Sequence, residues 1–102
     1  SQRMYVWFDA LNIYQSGIIE FLVSRYHHPQ AIILFGSYSR GEDIEKSDID
    51  IAILGRNEAH LFLKEFEKKL GRRISLHYIT LEKISAEFKA NLANGIVLEG
   101  SW

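Results

Sequence analysis

Two aspartates, Asp48 and Asp50, stand two residues apart in a segment where isoleucines occupy the alternate positions. Alternation with a period of two predicts a β-strand with both carboxylates on one face, their Cα atoms about 6–7 Å apart. Two negative charges this close repel each other unless a cation lies between them. In proteins Mg²⁺ typically takes one or two carboxylates together with phosphate oxygens. The pair therefore predicts either a Mg²⁺ site or, more simply, a half-strand whose acids face water.

A possible phosphate site lies upstream, where Gly36 and Ser37 follow a continuous apolar run over residues 31–35. The run predicts a strand buried on both faces. Glycine lets the backbone approach a phosphate closely, and the N–H groups of a following helical turn attract an anion. The Ser37 hydroxyl can donate to a phosphate oxygen. An ordinary turn at the end of a strand is the alternative interpretation.

The elements that would position these residues follow from hydrophobic periodicity. It predicts, in order, a helix at 8–26, a strand at 31–35, a strand at 49–53, a helix at 58–70, a strand at 74–78, a helix at about 81–92 and a short strand at 96–98. Pro29 ends the first helix near His28, and Asn57 and Thr80 are the predicted N-caps of the later two. The predicted fold class is α/β in the α+β sense: a small mixed sheet of three or four strands flanked by helices.

Taken together, the two motifs resemble the polymerase-β-like nucleotidyltransferase superfamily, and in particular its minimal nucleotidyltransferase (MNT) domains. The family pattern is Gly-Ser-x-x-Arg-Gly followed by Ser-Asp-x-Asp. It is matched by residues 36–41 and 47–50, with ten residues between Ser37 and Asp48. The order of elements extends the resemblance over about residues 30–90. The resemblance implies a nucleotidyltransferase fold.

The resemblance also implies roles for individual residues. Gly36 and Ser37 would hold the triphosphate of ATP or another nucleoside triphosphate. Asp48 and Asp50 would coordinate Mg²⁺ and carry catalysis. Arg40 would either contact phosphate or brace the loop by pairing with a nearby acid, for which the candidates are Glu42, Asp43 and Asp48.

One part of the family pattern is absent. Catalytic members carry a third carboxylate on a later strand, about where Ser75 stands here, and no acid lies between Glu67 and Glu82. Ser75 and His77 share one face of the predicted strand, so they are the candidates for this third position. His77 could accept a proton, or it could simply make a local hydrogen bond.

Composition narrows the remaining classes. The chain has 102 residues, which predicts one domain, divided here into a helical segment at 1–28 and a core at 30–99. The first residue is Ser1 and the first methionine is Met4, so we expect the domain to be excised from a larger chain. The net charge of −1 argues against direct nucleic-acid binding by this domain. The absence of cysteine fits the cytoplasm, and no apolar run is long enough for a membrane span.

Three functions remain open. The first is transfer of a nucleotidyl group, AMP being the expected one, to a hydroxyl; minimal members that resemble this chain act as antitoxins on a HEPN-type helical partner. The second is a noncatalytic nucleotide-binding module attached to a winged-helix DNA-binding domain. The third is a scaffold whose acids bind nothing. A basic stretch over residues 64–73 is either a solvated helix face or a contact for an acidic partner or nucleic acid.

Overall fold

The fold is known from a computed structural model that describes residues 10–36 and 48–102. The elements are, in order, helical residues 10–16, α1 (Ile18–Tyr26), β1 (Ala31–Phe35), β2 (Ile49–Leu54), α2 (Lys64–Leu70), β3 (Ile74–Ile79), a 3₁₀ turn (Leu81–Lys83), α3 (Ala86–Ala93) and β4 (Ile96–Gly100). The strands form a four-stranded sheet in the order β3-β2-β1-β4. β1 runs antiparallel to β2 and β4, whereas β2 and β3 are parallel. The predicted fold class is confirmed, with its fourth strand.

Apolar side chains cover both faces of the sheet. On one face Ile49, Ile51 and Ile53 pack in a cluster with residues of α1. On the other face Ala52 and Leu54 pack in a second cluster that includes side chains from α3. All residues of β1 are buried, as its continuous apolar run predicts. The sheet is therefore the middle layer of the fold, and Asp50 lies on the α3 side because it alternates with the isoleucines.

The first predicted helix is divided by a glycine. Residues 10–16 and Ile18–Tyr26 are helical, but Gly17 between them has a φ of 87°. This left-handed conformation is readily adopted by glycine, and it bends the chain without steric cost. The helix ends where Pro29 predicts, because His27 and His28 already have positive φ angles.

The second predicted helix begins later than expected, and the cap at Asn57 is wrong. Residues 57–63 are not helical, and α2 starts after Leu63, which makes no side-chain cap. Leu61 and Leu63 instead pack against the α1-side cluster, while Phe62 between them is 83% exposed. The packing of both leucines against this cluster outweighs the local helical pattern.

The last predicted helix is also divided, and its cap lies five residues beyond Thr80. Leu81–Lys83 form a 3₁₀ turn, and α3 then begins after Ser85, whose side chain accepts a hydrogen bond of 3.1 Å from the Phe88 N–H. This is the normal bond of a serine N-cap. The predicted apolar positions nevertheless all reach the α3-side cluster, namely Leu81, Ile84, Phe88 and Leu92.

Candidate active site

Strand pairing brings the two predicted motifs to the same edge of the sheet. β1 and β2 are antiparallel, and Phe35 at the end of β1 is in register with Asp50 near the start of β2. Gly36 therefore leaves β1 beside the point where Asp48 leads into β2. The predicted phosphate-binding glycine and the predicted metal-binding acids lie at one end of the sheet, as a shared site requires.

Asp50 is a buried acid. It is 5% exposed, whereas Asp48 is exposed to solvent. Burying an ionised carboxylate without partners is costly, so such groups are held by hydrogen bonds, opposite charges or metals. The simpler interpretation of the acid pair, in which both face water, is therefore wrong for Asp50.

His77 is one partner of Asp50. Its Nε2 lies 2.9 Å from Asp50 Oδ1, and its side chain is 34% exposed. An ionised carboxylate can only accept, so His77 donates this bond through its Nε2–H. His77 thereby stabilises a negative charge at the bottom of the site.

β3 supplies a second polar residue to the same place. In the parallel pairing of β2 with β3, Asp50 is in register with Ser75 and Ala52 with His77. The Ser75 Oγ lies 3.3 Å from His77 Nε2. The expectation that Ser75 and His77 share the face of the acids is therefore supported by their contacts. The strand brings a hydroxyl and an imidazole to the place where the sequence resemblance implies a third carboxylate.

Aromatic rings form the inner wall of this cluster. The Phe35 ring meets the His77 ring edge-on at a centroid distance of 5.0 Å, and Phe88 of α3 lies 5.6 Å from Phe35. Phe35 is 2% exposed. Rings packed at this spacing keep water away from one side of the imidazole, which strengthens its hydrogen bond to Asp50.

The backbone around Asp48 is fixed by the loop that precedes β3. The Ile49 N–H donates to the Arg73 carbonyl at 2.8 Å. A guanidinium nitrogen of Arg72 lies 3.5 Å from the Asp48 carbonyl oxygen. Asp48 is therefore held at the rim of the site while its residue remains exposed, which suits a ligand that must reach an incoming metal–nucleotide complex.

Two predicted site residues lie outside the described residues. These are Ser37 and Arg40, and the acids Glu42 and Asp43 lie outside them too, so the roles predicted for this loop stay predictions. The hydrogen bond between His77 and Asp50 was not foreseen. The alternation of Ser75 and His77 indicates that both side chains lie on one face of β3. It does not indicate that Asp50 is the partner of His77.

The predicted basic stretch forms an open groove beside the site. Its volume is about 620 Å³, and among its lining residues are Lys64, Glu65, Glu67, Lys68, Gly71, Arg72 and Arg73. Glu67 is also structural, because its Oε2 accepts a 2.7 Å hydrogen bond from the Ile74 N–H. The groove is continuous with the rim of the site through the contact of Arg72 with Asp48.

Among the described residues, the donor set fits Mg²⁺ together with ligands from a nucleotide. Asp48 and Asp50 supply hard carboxylate oxygens, which Mg²⁺ prefers. No group of three or more His, Asp or Glu side chains within residues 10–36 and 48–102 could hold a metal by itself. Two carboxylates with triphosphate oxygens and water nevertheless make an ordinary Mg²⁺ environment. The residues present therefore fit a metal that arrives with its substrate.

Within the described ranges, the structure contains no helix long and apolar enough to cross a membrane.

Known proteins share this arrangement of sequence and fold. Over 47 residues the chain is 45% identical to a protein of Methanocaldococcus jannaschii named "Putative protein adenylyltransferase"; the match covers 46% of this chain and 48% of that protein, about half of each. A chain in the crystal structure of a mutant of the toxin–antitoxin MntA–HpeT superposes with a TM-score of 0.56 and 26% identity, over 82% of this chain and 70% of that one. The nucleotidyltransferase domain family matches residues 16–100. The chain therefore belongs to the nucleotidyltransferase domain family, as its motifs predict.

Proposed function

We propose that this domain uses Asp48 and Asp50 to bind Mg²⁺–ATP and transfers AMP to a hydroxyl group on a partner protein. The observation that carries the proposal is the buried carboxylate of Asp50, held by His77 at the edge where β1 delivers Gly36. A buried carboxylate contributes little to solubility because water hardly reaches it. Perturbed or buried charges concentrate at functional sites.

The comparisons support the transferred group and the kind of acceptor. The name of the relative from Methanocaldococcus jannaschii describes an adenylyl transfer to protein. The similar solved chain comes from a toxin–antitoxin pair. A partner protein as acceptor, of the HEPN-type helical class that the sequence resemblance implies, agrees with both names.

The reaction is a substitution at the α-phosphorus of ATP. The acceptor oxygen forms a bond to this phosphorus, the bond to the β-phosphate bridging oxygen breaks, and pyrophosphate leaves with its electron pair. The hydroxyl proton passes to solvent. Mg²⁺, when bound, neutralises the charge that develops on the phosphate oxygens. Asp50 is positioned for this by His77, and Asp48 by the backbone of the loop before β3.

The basic groove is the proposed contact for the acceptor. It adjoins the Asp48 rim, and its lining includes Lys64, Lys68, Arg72 and Arg73. The whole chain carries a net charge of −1, so the positive charge is confined to this surface. The chain as a whole therefore has no general affinity for polyanions. An acidic segment of a partner protein suits such a surface better than a nucleic-acid backbone does. A protein acceptor and ATP are both found in the cytoplasm, which is the proposed compartment.

The test is calorimetric titration of the domain with ATP in the presence of Mg²⁺. We expect binding that requires the metal and is lost in the Asp48→Asn/Asp50→Asn double variant. The matched control is Glu82→Gln/Glu87→Gln, which removes two exposed acids that belong to neither motif and should bind as the natural sequence does. Absence of binding by the natural sequence at millimolar ATP would contradict the proposal.

One observation favours a second function. β3 supplies Ser75 and His77 instead of an acid, and a third carboxylate normally helps to activate the attacking hydroxyl. A domain that binds Mg²⁺–ATP without transferring it would act as a nucleotide-binding module, for example of a winged-helix transcriptional regulator. Incubation with α-labelled ATP and the protein encoded beside this domain separates the two functions, because only the enzyme labels its acceptor.

A further inference from the structure

The hydrogen bond between His77 and Asp50 bears on how many metal ions the site holds. Many polymerases and nucleases use two divalent ions about 3.5–4 Å apart, which share carboxylate ligands and stabilise both the attacking and the leaving oxygen. A carboxylate that bridges two ions needs its oxygens available to metal. Here Oδ1 of Asp50 already accepts the Nε2–H of His77 at 2.9 Å.

The strand beside Asp50 offers no anion to a second ion. The residue in register with Asp50 on β3 is Ser75, whose hydroxyl is neutral. Nε2 of His77 faces Oδ1 of Asp50 at 2.9 Å, and an imidazole supplies no negative charge. β3 therefore contributes a neutral hydroxyl and a hydrogen-bond donor at the position where a second ion would need negative charge.

The burial of Asp50 makes the lack of a second anion on β3 more costly for a second metal ion. Asp50 is 5% exposed, and the Phe35 ring lies against the imidazole that binds it. In such surroundings a doubly charged ion needs several anionic ligands, because water is less available to replace them. The Nε2–H of His77 is a partner for Asp50 that needs no further anionic ligands.

We infer that the site holds a single divalent ion, brought in with the nucleotide, and that the Nε2–H of His77 occupies the side of Asp50 that a second ion would otherwise bridge. This inference rests on the proposed function, since it concerns the same two aspartates. In this arrangement His77 is a positioning residue: it acts on the reaction through Asp50 and does not touch the phosphate.

The number of bound ions can be counted directly. The probe is Mn²⁺, whose free form gives an electron paramagnetic resonance signal, titrated into the domain saturated with α,β-methylene-ATP. This analogue resists transfer, so the result does not depend on catalysis. We expect one Mn²⁺ per chain, and no protein-bound Mn²⁺–nucleotide in the Asp48→Asn/Asp50→Asn variant.

Introducing an acid on β3 should raise the number of Mn²⁺ ions bound per chain. Ser75→Asp places a carboxylate in register with Asp50 on a half-exposed residue, and we expect it to bind two Mn²⁺ ions per chain. Ser75→Asn has the same shape without the charge and should still bind one. His77→Asp is the second variant, which tests the same idea if Ser75→Asp does not give a folded chain by circular dichroism.

The outcomes separate this inference from the proposed function. Two ions bound by the natural sequence would overturn the inference and leave the proposed function standing. A count of one in folded Ser75→Asp and His77→Asp would also overturn it, because the neutral residues of β3 would then not be what limits the count. If the natural sequence binds neither nucleotide nor Mn²⁺, the inference fails together with the proposed function.

Discussion

The carboxylate of Asp50 and the imidazole of His77 meet across two parallel strands, with Oδ1 and Nε2 2.9 Å apart. Asp50 belongs to the acid pair of the predicted motif, and His77 stands two residues beyond Ser75, where the sequence resemblance implies a third acid. The contact explains how a 5% exposed carboxylate is tolerated at the end of a sheet. It also joins the site to the stability of the fold, because each partner is partly desolvated.

Removing the imidazole should therefore destabilise the domain. His77→Ala leaves Asp50 buried without this donor, and a buried group that loses its hydrogen-bond partner typically costs about 1–3 kcal/mol in the free energy of unfolding. Urea denaturation followed by circular dichroism measures the change. His60→Ala is the matched control, because His60 is exposed and should shift the midpoint little. Equal midpoints for the two variants would show that the contact contributes nothing to stability.

Phe35 should contribute more to the stability of the fold than Phe62 does. It is 2% exposed and packs against His77 and Phe88, whereas Phe62 is 83% exposed. Truncating a buried phenylalanine to alanine removes its contacts and leaves a cavity, at a cost of about 3–5 kcal/mol. Phe35→Ala should thus destabilise strongly, and Phe62→Ala by no more than about 0.5 kcal/mol. Comparable losses in guanidinium denaturation would contradict the orientation of residues 61–63.

Arg56 should stabilise the end of α1. Its Nε donates to the Tyr26 carbonyl at 2.7 Å, and one of its terminal nitrogens lies 3.1 and 3.3 Å from the carbonyls of His27 and His28. These acceptors at the helix C-terminus have no partners in the helix itself. Arg56→Ala should lower the free energy of unfolding by about 1–3 kcal/mol.

Arg56→Lys is the informative companion to that variant. Lysine keeps the positive charge beside the helix terminus but lacks the planar fork that reaches several carbonyls together. Thermal or urea unfolding of both variants measures the difference. We expect Arg56→Lys to retain only part of the stability that Arg56→Ala loses. Full recovery would mean that charge near the helix end, and not the hydrogen-bond geometry, is what stabilises α1.

Stability should also fall at alkaline pH because of Tyr26. Burial, followed by the hydrogen bond and the charge of Tyr78, raises the pKa of the Tyr26 phenol above its ordinary value near 10. A raised pKa means that the folded state keeps the proton which the unfolded state releases. The stabilisation is therefore complete below about pH 10 and is lost as pH rises above it.

Tyr26→Phe removes this titration and tests the assignment. Its free energy of unfolding should be lower near neutral pH, because the hydroxyl contact with Tyr78 is lost. It should also decline less steeply than that of the natural sequence above about pH 10. Tyr14→Phe is the comparison variant, because it also removes a hydrogen-bonded hydroxyl, the one that donates to the Leu98 carbonyl, but leaves the Tyr26–Tyr78 pair intact. Parallel pH profiles for the natural sequence and Tyr26→Phe would assign the alkaline loss to other groups.

Much of the fold was predictable from local patterns. The continuous apolar run at 31–35 predicts β1 because a central strand is buried on both faces, and the alternation at 49–53 predicts β2 because side chains on a strand alternate with a period of two. Pro29 predicts the end of α1 because proline restricts the residue before it. The true starts of α2 at Lys64 and α3 at Ala86 could not be predicted this way, and the caps predicted at Asn57 and Thr80 were wrong. Both residues are good caps, but residues 57–63 and 81–83 follow tertiary contacts with the sheet instead of their own helical tendency.

By itself the sequence determined the family, the order of the strands along the chain, and the face of β2 on which Asp50 lies, because motif spacing and side-chain alternation are local properties. Tertiary structure decided the rest. Only the pairing β3-β2-β1-β4 places Ser75 opposite Asp50 and brings His77 within 2.9 Å of its carboxylate. Alternation along one strand says nothing about which strand lies beside it, so the contact that holds Asp50 could not be found before the sheet was assembled.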